Sequence, residues 1–245
     1  MSFQLPASRE PFNLSTIQSL TFPELPRLDI VRPVFHSKNN SYMSKYLLLI
    51  VAVIFTVPSY AEFTSNFGVA NKYMFRGVKQ SDQDIVVSGG VDYSGPWGIY
   101  AGAWGYTGSI EDFDTSEANA YGGFAFSVWD IAIGLGAIRY ERAQQTTQTE
   151  YNINLAWDAY RLSSYQDEDS NQYHEVSASY DFWGQNGLSF LVGMTQLDGQ
   201  SDETFNYGIS WILAMPGDVD FEVGVTRHDD EGNAFILGMN QKFSW

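Results

Sequence analysis

From residue 66 onward the sequence alternates apolar and polar side chains, and this period of two restricts the fold more than any other feature. The segment 203–213 places Phe205, Tyr207, Ile209, Trp211 and Leu213 on one face and Asn206, Gly208 and Ser210 on the other. Segments 150–157 and 219–227 alternate in the same way. Such alternation is typical of strands with one apolar and one polar face, so the sequence predicts an all-β fold.

Twelve segments carry this pattern between turn signals. They are 66–77, 85–94, 98–107, 116–128, 130–141, 148–157, 159–166, 172–182, 187–196, 203–214, 218–227 and 234–245. An even number of strands is expected of a closed bacterial barrel that spans a membrane. The sequence therefore predicts a transmembrane antiparallel up-and-down β-barrel.

The predicted connections alternate between two kinds. Five are short: 94–98, 129–130, 157–159, 183–187 and 215–218. The other six are longer and mostly acidic, with the Gln/Thr-rich segment 142–149 as the exception. Outer-membrane barrels have short periplasmic turns and longer extracellular loops, which predicts that both chain ends are periplasmic.

Aromatic residues support a membrane setting. Trp97, Trp129, Trp157 and Trp183 lie at four of the five short connections, and tryptophan concentrates at membrane–water interfaces. The alternative fold, a soluble periplasmic β-sandwich, would bury its tryptophans between sheets. The last segment alternates up to Phe243 and Trp245, an ending that resembles the signal recognised by the outer-membrane assembly machinery.

The segment 43–61 has the layout of a secretory signal peptide. It starts with Met43 and the cation Lys45, continues with an apolar run over 47–57, and ends with small residues at Ser59 and Ala61. The run is shorter than the ~20 residues that a transmembrane helix needs. We expect cleavage after Ala61. The proline-rich segment 1–42 is interpreted as a misassigned start or as an unstructured lead that is removed with the signal.

Composition excludes several functions for the predicted mature part, 62–245. The whole chain has 13 Lys+Arg and 29 Asp+Glu. Residues 1–61 hold five of these cations and three of the anions, which leaves 8 against 26 and a net charge of −18. Nucleic acid is an unsuitable partner because phosphate binding needs a basic face. The chain has no cysteine, which excludes disulfides and thiolate metal sites.

The opening of the mature part resembles a known family. It reads Asn66-Phe67-Gly68-Val69-Ala70-Asn71-Lys72-Tyr73-Met74-Phe75-Arg76-Gly77-Val78, followed by Lys79-Gln80-Ser81-Asp82, then Gly89-Gly90-Val91-Asp92-Tyr93 and the segment 98–105. This stretch resembles the TorF family of porins. The resemblance covers 66–105 and implies an outer-membrane barrel with a pore function. It implies no catalytic motif and no particular solute.

The polar face supplies the candidate functional residues, because lipid-facing positions must be apolar. The candidates for lining the lumen and setting selectivity are Lys72, Arg76, Asp92, Glu175, Asp181, Asp220, Glu222 and Lys242. We expect Lys72 and Arg76 on the first strand to attract anions, while the acids dominate both ends. The resulting prediction is a porin for ions or small hydrophilic solutes in the outer membrane of a Gram-negative bacterium, with weak cation selectivity.

Two alternatives to a porin stay open. The lumen charges could pair and plug a structural barrel, because a twelve-strand lumen is narrow. A barrel hydrolase is also conceivable, with His228 as a base beside Asp229 and Asp230. No phosphate loop, zinc spacing or calcium loop is complete, so no cofactor or metal is predicted. The expected partners are membrane lipid, the assembly machinery and a small solute.

Overall fold

The computed structural model describes residues 61–81, 85–107, 116–142, 146–182 and 186–244. These residues form the strands β1 (Glu62–Ala70), β2 (Met74–Phe75), β3 (Val78–Lys79), β4 (Val86–Ser94), β5 (Ile99–Thr107), β6 (Glu117–Val128), β7 (Ile131–Arg142), β8 (Gln148–Trp157), β9 (Tyr160–Asp167), β10 (Gln172–Phe182), β11 (Asn186–Gln196), β12 (Glu203–Met215), β13 (Val219–His228) and β14 (Gly232–Ser244). A single 3-10 turn, Pro96–Gly98, precedes β5. In the described ranges, no helix is long and apolar enough to cross a bilayer. The segments 1–42 and 43–60 lie outside these ranges.

Twelve of the strands close into one antiparallel barrel. Strands β4 to β14 pair in sequence order, and β1 pairs with both β4 and β14. The closing register sets Ser65 opposite Phe243 and Val69 opposite Met239. The predicted twelve-strand antiparallel up-and-down barrel is confirmed. The predicted boundaries of β4 to β14 agree with the observed ones to within two residues.

The first strand differs from its prediction. The pattern predicts it at 66–77, but it spans Glu62–Ala70. Beyond Ala70 the chain leaves the wall and forms a two-stranded hairpin, in which Met74 pairs with Lys79 and Phe75 with Val78. The segment 71–81 is called the internal hairpin below. Lys72 and Arg76 therefore belong to this hairpin, and their predicted place on the first barrel strand is wrong.

The connections separate the two ends of the barrel. The turn end carries 95–98, 129–130, 158–159 and 216–218, together with the end of β10, the start of β1 and the end of β14. The loop end carries 71–81, 168–171, 197–202 and 229–231, together with the ends of β5 and β7. Trp129, 81% exposed, and the exposed Trp97 and Trp157 lie at the turn end, as predicted. Trp183 and the acids Asp82, Asp84, Glu111, Asp112 and Asp114 lie outside the described residues.

The two faces of the wall have opposite character. In β12, Ile209 is 45% exposed on the outside, whereas its neighbour Ser210 is 1% exposed on the inside. Large apolar side chains are exposed on the outer face of every barrel strand, while Asn152, Asn154 and Asn240 are buried on the inner face. A soluble fold would place its apolar face inward. This inverted arrangement suits a wall that contacts lipid outside and a polar lumen inside.

Candidate functional site in the barrel lumen

The internal hairpin enters the lumen at Asn71. The Asn71 backbone N–H donates to the Leu237 carbonyl (2.9 Å), its side-chain amide donates to the Phe235 carbonyl (3.1 Å), and its Oδ1 accepts from the Leu237 N–H (3.0 Å). The side chain thus continues the ladder to β14 after the backbone of β1 has turned away. This satisfies backbone groups of β14 that would otherwise lose their partner strand. Asn71 marks the point where the chain leaves the wall.

Local hydrogen bonds close the internal hairpin. The Tyr73 N–H donates to Ser81 Oγ (2.9 Å), and the Gln80 N–H donates to the Tyr73 carbonyl (3.0 Å). Arg76 and Gly77 form its two-residue turn, with φ of 51° and 79°. Positive φ at both positions matches the twist of a tight hairpin. For Arg76 that conformation costs roughly 1–2 kcal/mol, so contacts elsewhere must hold it.

Glu150 on β8 supplies the strongest of those contacts. The Arg76 guanidinium donates two hydrogen bonds to its carboxylate, at 2.8 Å and 2.7 Å. The guanidinium also lies over the rings of Tyr173 (4.2 Å) and Tyr165 (5.0 Å). Burial by itself would lower the pKa of Arg76, but the Glu150 carboxylate more than offsets this and raises it. Arg76 is therefore a permanent cation whose charge is neutralised on the wall.

The two ends of the internal hairpin touch opposite parts of the wall. Near its base, the ring of Tyr73 packs 4.0 Å from Tyr106 and 5.6 Å from Trp104, both on β5. At its tip, a Cβ on Gly77 would lie 2.6 Å from Asn206 Cβ on β12 and 3.3 Å from His228 Cβ on β13. The hairpin therefore crosses the lumen at the loop end. Any path through the barrel passes the hairpin at this end, and this level is called the constriction below.

Arg142, at the loop end of β7, forms a second buried ion pair. Arg142 donates to the Glu117 carboxylate, and Asn119 donates to the other oxygen of that carboxylate (2.9 Å). The Arg142 guanidinium lies 5.1 Å from the Tyr140 ring and 5.5 Å from the Phe75 ring of the hairpin. Arg76 and Arg142, the arginines beside the hairpin, are thus both matched with a carboxylate.

The acids predicted to lie in the lumen fall into two levels. Glu175 lies near the loop end and accepts a hydrogen bond from Tyr173 (2.9 Å), which brings it into the Arg76 cluster. The others lie toward the turn end, as predicted from strand direction. Asp92 accepts from the Tyr121 hydroxyl, Asp220 and Glu222 are buried on β13, and Asp181 is exposed near the end of β10.

The remaining predicted residues have different surroundings. Lys242 follows Asn240, the residue opposite Asp220, by two positions, and it lies within electrostatic range of Asp92. The turn at 229–231 joins β13 to β14, close to the predicted hairpin at 230–231. Lys72 is half-buried at the start of the internal hairpin. Phe243 is exposed on β14, and Trp245 lies outside the described residues.

His228 is the last residue of β13, and its ring contacts the backbone of the turn that follows. Its Nδ1 accepts a hydrogen bond from the Asp230 backbone N–H (3.2 Å), and the Asp229 carboxylate accepts from the Phe205 N–H (2.9 Å). The Asp229 carboxylate thus binds backbone, and His228 accepts from the Asp230 backbone N–H, so neither contact is the carboxylate–histidine pair that the hydrolase alternative needs. Among the described residues, no three His, Asp or Glu side chains are grouped to hold a metal ion.

Several residues of the constriction were not predicted. They are Glu117, Tyr140, Arg142, Glu150, Tyr165 and Tyr173. Each has the inward parity of its strand, but parity says nothing about which inward groups meet across a lumen. One signal was present: Asn71 is polar at an outward position of the predicted first strand. That break in the pattern marks the end of β1.

Comparison with solved structures defines the class of the fold. A KdgM porin superposes with a TM-score of 0.56 at 5% identity, covering 74% of this chain and 99% of that chain. A KdgM porin in complex with disordered oligogalacturonate gives 0.52 at 7% identity, covering 74% and 99%. A NanC porin gives 0.51 at 10% identity, covering 74% and 98%. The fold is that of the outer-membrane porins.

Residues 56–237 match the model of a family described as a bacterial protein of unknown function, Gcw_chp. The chain belongs to that family. The match includes the internal hairpin and the whole wall up to Leu237. A search of curated proteins finds no match.

Proposed function

We propose that this protein is a channel of the Gram-negative outer membrane that lets ions and small hydrophilic solutes diffuse passively. The observation that carries the proposal is the closed barrel with apolar side chains outside and a polar, charged lumen inside. The turn end, with its exposed tryptophans, would face the periplasm, and the loop end would face the outside. We assign no catalytic role to any lumen residue.

We further propose a weak preference for cations. The buried guanidinium groups of Arg76 and Arg142 are each bound to a carboxylate, so they attract anions less than free cations would. The acids of the turn-end level outnumber its inward-facing cations, Lys242 and Arg161. One porin of this fold was solved with oligogalacturonate, a chain of acidic sugars. The acidic lumen of this protein favours cationic or neutral solutes instead.

The plugged barrel is the second candidate, and the internal hairpin is the observation that favours it. The hairpin crosses the loop end and is held by a buried ion pair and by aromatic packing. The two candidates differ in whether solvent and ions pass beside the hairpin. They can be separated by conductance.

Single-channel recording of the refolded protein in a planar bilayer tests the proposal. A channel gives discrete steps in KCl with the wild-type sequence. A plugged barrel gives steps only after the hairpin is released, for which the double variant Arg76→Ala, Glu150→Gln serves. If neither protein conducts while both insert as folded barrels, the channel function is wrong.

Export to the outer membrane requires a signal peptide that is removed and a barrel that is assembled there. We propose that Met43–Ala61 is a cleaved signal peptide, that the mature chain starts at Glu62, and that the resemblance of 66–105 to the TorF porins reflects the same pore function. We also propose that Phe243 and Trp245 are read by the assembly machinery. N-terminal sequencing of the membrane fraction tests the first point, and a mature chain that retains Lys45 would contradict it.

A further inference from the structure

Glu222 is a buried and poorly compensated acid on the lumen wall. Its side chain points inward from β13, opposite Ile212 on β12 and Gly238 on β14. The residue is 3% exposed, and its Oε1 has no hydrogen-bond partner among the described residues. A buried carboxylate with one open oxygen is costly unless a cation or a proton is supplied. Ionisable groups at membrane depth usually mark a path or a binding site.

A second polar group beside Glu222 is also open. Ser210 lies next to the Glu222 carboxylate on the neighbouring strand, and its Oγ makes no hydrogen bond of normal geometry to a described residue. Asp220 shares the inward face of β13 and lies one inward position closer to the turn end, opposite Asn240. Lys242 lies beyond Asn240, on the side of Asp220 away from Glu222. Glu222 and Asp220 thus form a short acidic stretch along β13. The cation Lys242 lies at its Asp220 end, away from Glu222 Oε1 and Ser210 Oγ.

Apolar residues flank this stretch. Ile212 is directly opposite Glu222, and Ile236 is opposite Gly224, the next inward position of β13. Both isoleucines are buried and face inward. A small metal ion gains nothing from such neighbours, whereas an alkyl chain attached to an ammonium group packs against them. An ammonium carries three donors and fits acceptors that converge from several directions.

We propose that Glu222, with Ser210 and Asp220, is a binding site for the ammonium group of a small organic amine, with its alkyl part against Ile212 and Ile236. This proposal depends on the proposed channel function in one respect, namely that such amines pass through the lumen. Binding itself does not require conduction. The donors of the ammonium would satisfy Glu222 Oε1 and Ser210 Oγ.

Isothermal titration of the refolded full barrel in detergent tests the site, with butylammonium chloride as the probe at constant ionic strength. We expect saturable binding that weakens by at least about tenfold in Glu222→Gln, because the charged acceptor is lost. Ser210→Ala should weaken binding less. Asp181→Asn is the matched control, since that acid is exposed at the end of β10, and it should leave the affinity within about twofold.

A second variant covers the case in which Glu222→Gln does not fold, and a second salt distinguishes alkylammonium binding from general cation binding. If Glu222→Gln fails to fold, Glu222→Asp, which keeps the charge on a shorter chain, should fold and bind more weakly than the wild type. Titration with KCl in place of butylammonium separates an alkylammonium site from a general cation site. Equal heats for both salts, absent binding, or wild-type affinity in Glu222→Gln would each overturn the proposal. Bilayer recording of the same samples shows separately whether the channel function holds.

Discussion

Arg76 joins the internal hairpin to the wall through a single carboxylate, and its geometry explains why a strained turn persists there. The guanidinium is fixed by two charged hydrogen bonds and by the rings of Tyr165 and Tyr173. Such bidentate pairs combine strength with a defined orientation. Removing one partner of a buried pair leaves the other charge uncompensated, which is the costly case.

Arg76→Ala should therefore release the hairpin from the wall. The expected cost is about 3–5 kcal/mol for breaking a buried pair, and the constriction should widen as the tip loses its anchor. Larger single-channel conductance and a lower urea midpoint for the folded barrel are the measurements.

Arg139→Ala is the matched control, because it also removes one arginine charge but leaves the internal hairpin untouched. Arg139 pairs with Glu141 at 3.3 Å, but both side chains are largely exposed, and exposed pairs contribute only ~0–1 kcal/mol. Conductance and urea midpoint should stay close to the wild type. If Arg76→Ala and Arg139→Ala behave alike, the ion pair does not hold the constriction.

At the level of elements, the hairpin depends on a turn that only glycine fits. Gly77 has φ of 79°, and a Cβ there would lie 2.6 Å from Asn206 Cβ. Gly77→Ala should therefore both strain the turn, by roughly 1–2 kcal/mol, and push the tip away from β12. We expect raised conductance in planar bilayers with the barrel itself intact.

Gly199→Ala separates strain from steric conflict. Gly199 also has positive φ, 71°, but a Cβ added there would meet nothing within 4 Å. This variant should show the strain without a change in conductance. A conductance change of equal size in both variants would argue that turn strain, and not the contact with Asn206, governs the pore.

The wall could be predicted from the sequence because alternation and turns are local signals. Eleven strands needed only the period of two and the position of turn residues such as Trp129-Asp130. The internal hairpin was missed because Tyr73, Phe75 and Arg76 continue an alternation that a wall strand would also show. What distinguishes the hairpin is contact of Tyr73 with Tyr106, of Arg76 with Glu150 and of Gly77 with Asn206, pairs that are 33, 74 and 129 positions apart along the chain. Sequence patterns do not report such contacts across a lumen.

For the whole molecule, the free-energy cost of placing a charge on the outer face should depend on how deep the position lies in the membrane. Ile209 is the central residue of β12 and points outward, so Ile209→Arg should cost ~2–4 kcal/mol in lipid. Met215, the last residue of the same strand, is also exposed, and Met215→Arg should cost about 0–1 kcal/mol near the interface. Folding free energies in lipid vesicles measure both. Equal costs would contradict the membrane placement of β12.

The balance of charge over the molecule sets the expected selectivity. The acids Asp92, Asp181, Asp220 and Glu222 line the turn-end half, and the loop end adds exposed acids such as Asp169 and Asp230. A surface of one sign concentrates counter-ions over about 10 Å at 0.1 M salt. The reversal potential under a KCl gradient should indicate cation preference at low salt, and this preference should fade as the salt concentration rises.

Two variants should move this selectivity in opposite directions. Asp220→Asn combined with Glu222→Gln removes two inward charges and should weaken the cation preference. Lys72→Glu replaces a half-buried cation at the start of the internal hairpin and should strengthen it. Both changes should be largest at low salt, because screening shortens the range of each charge. Anion preference of the wild type at low salt would mean that Lys72 and the arginines of the constriction govern permeation, in spite of their carboxylate partners.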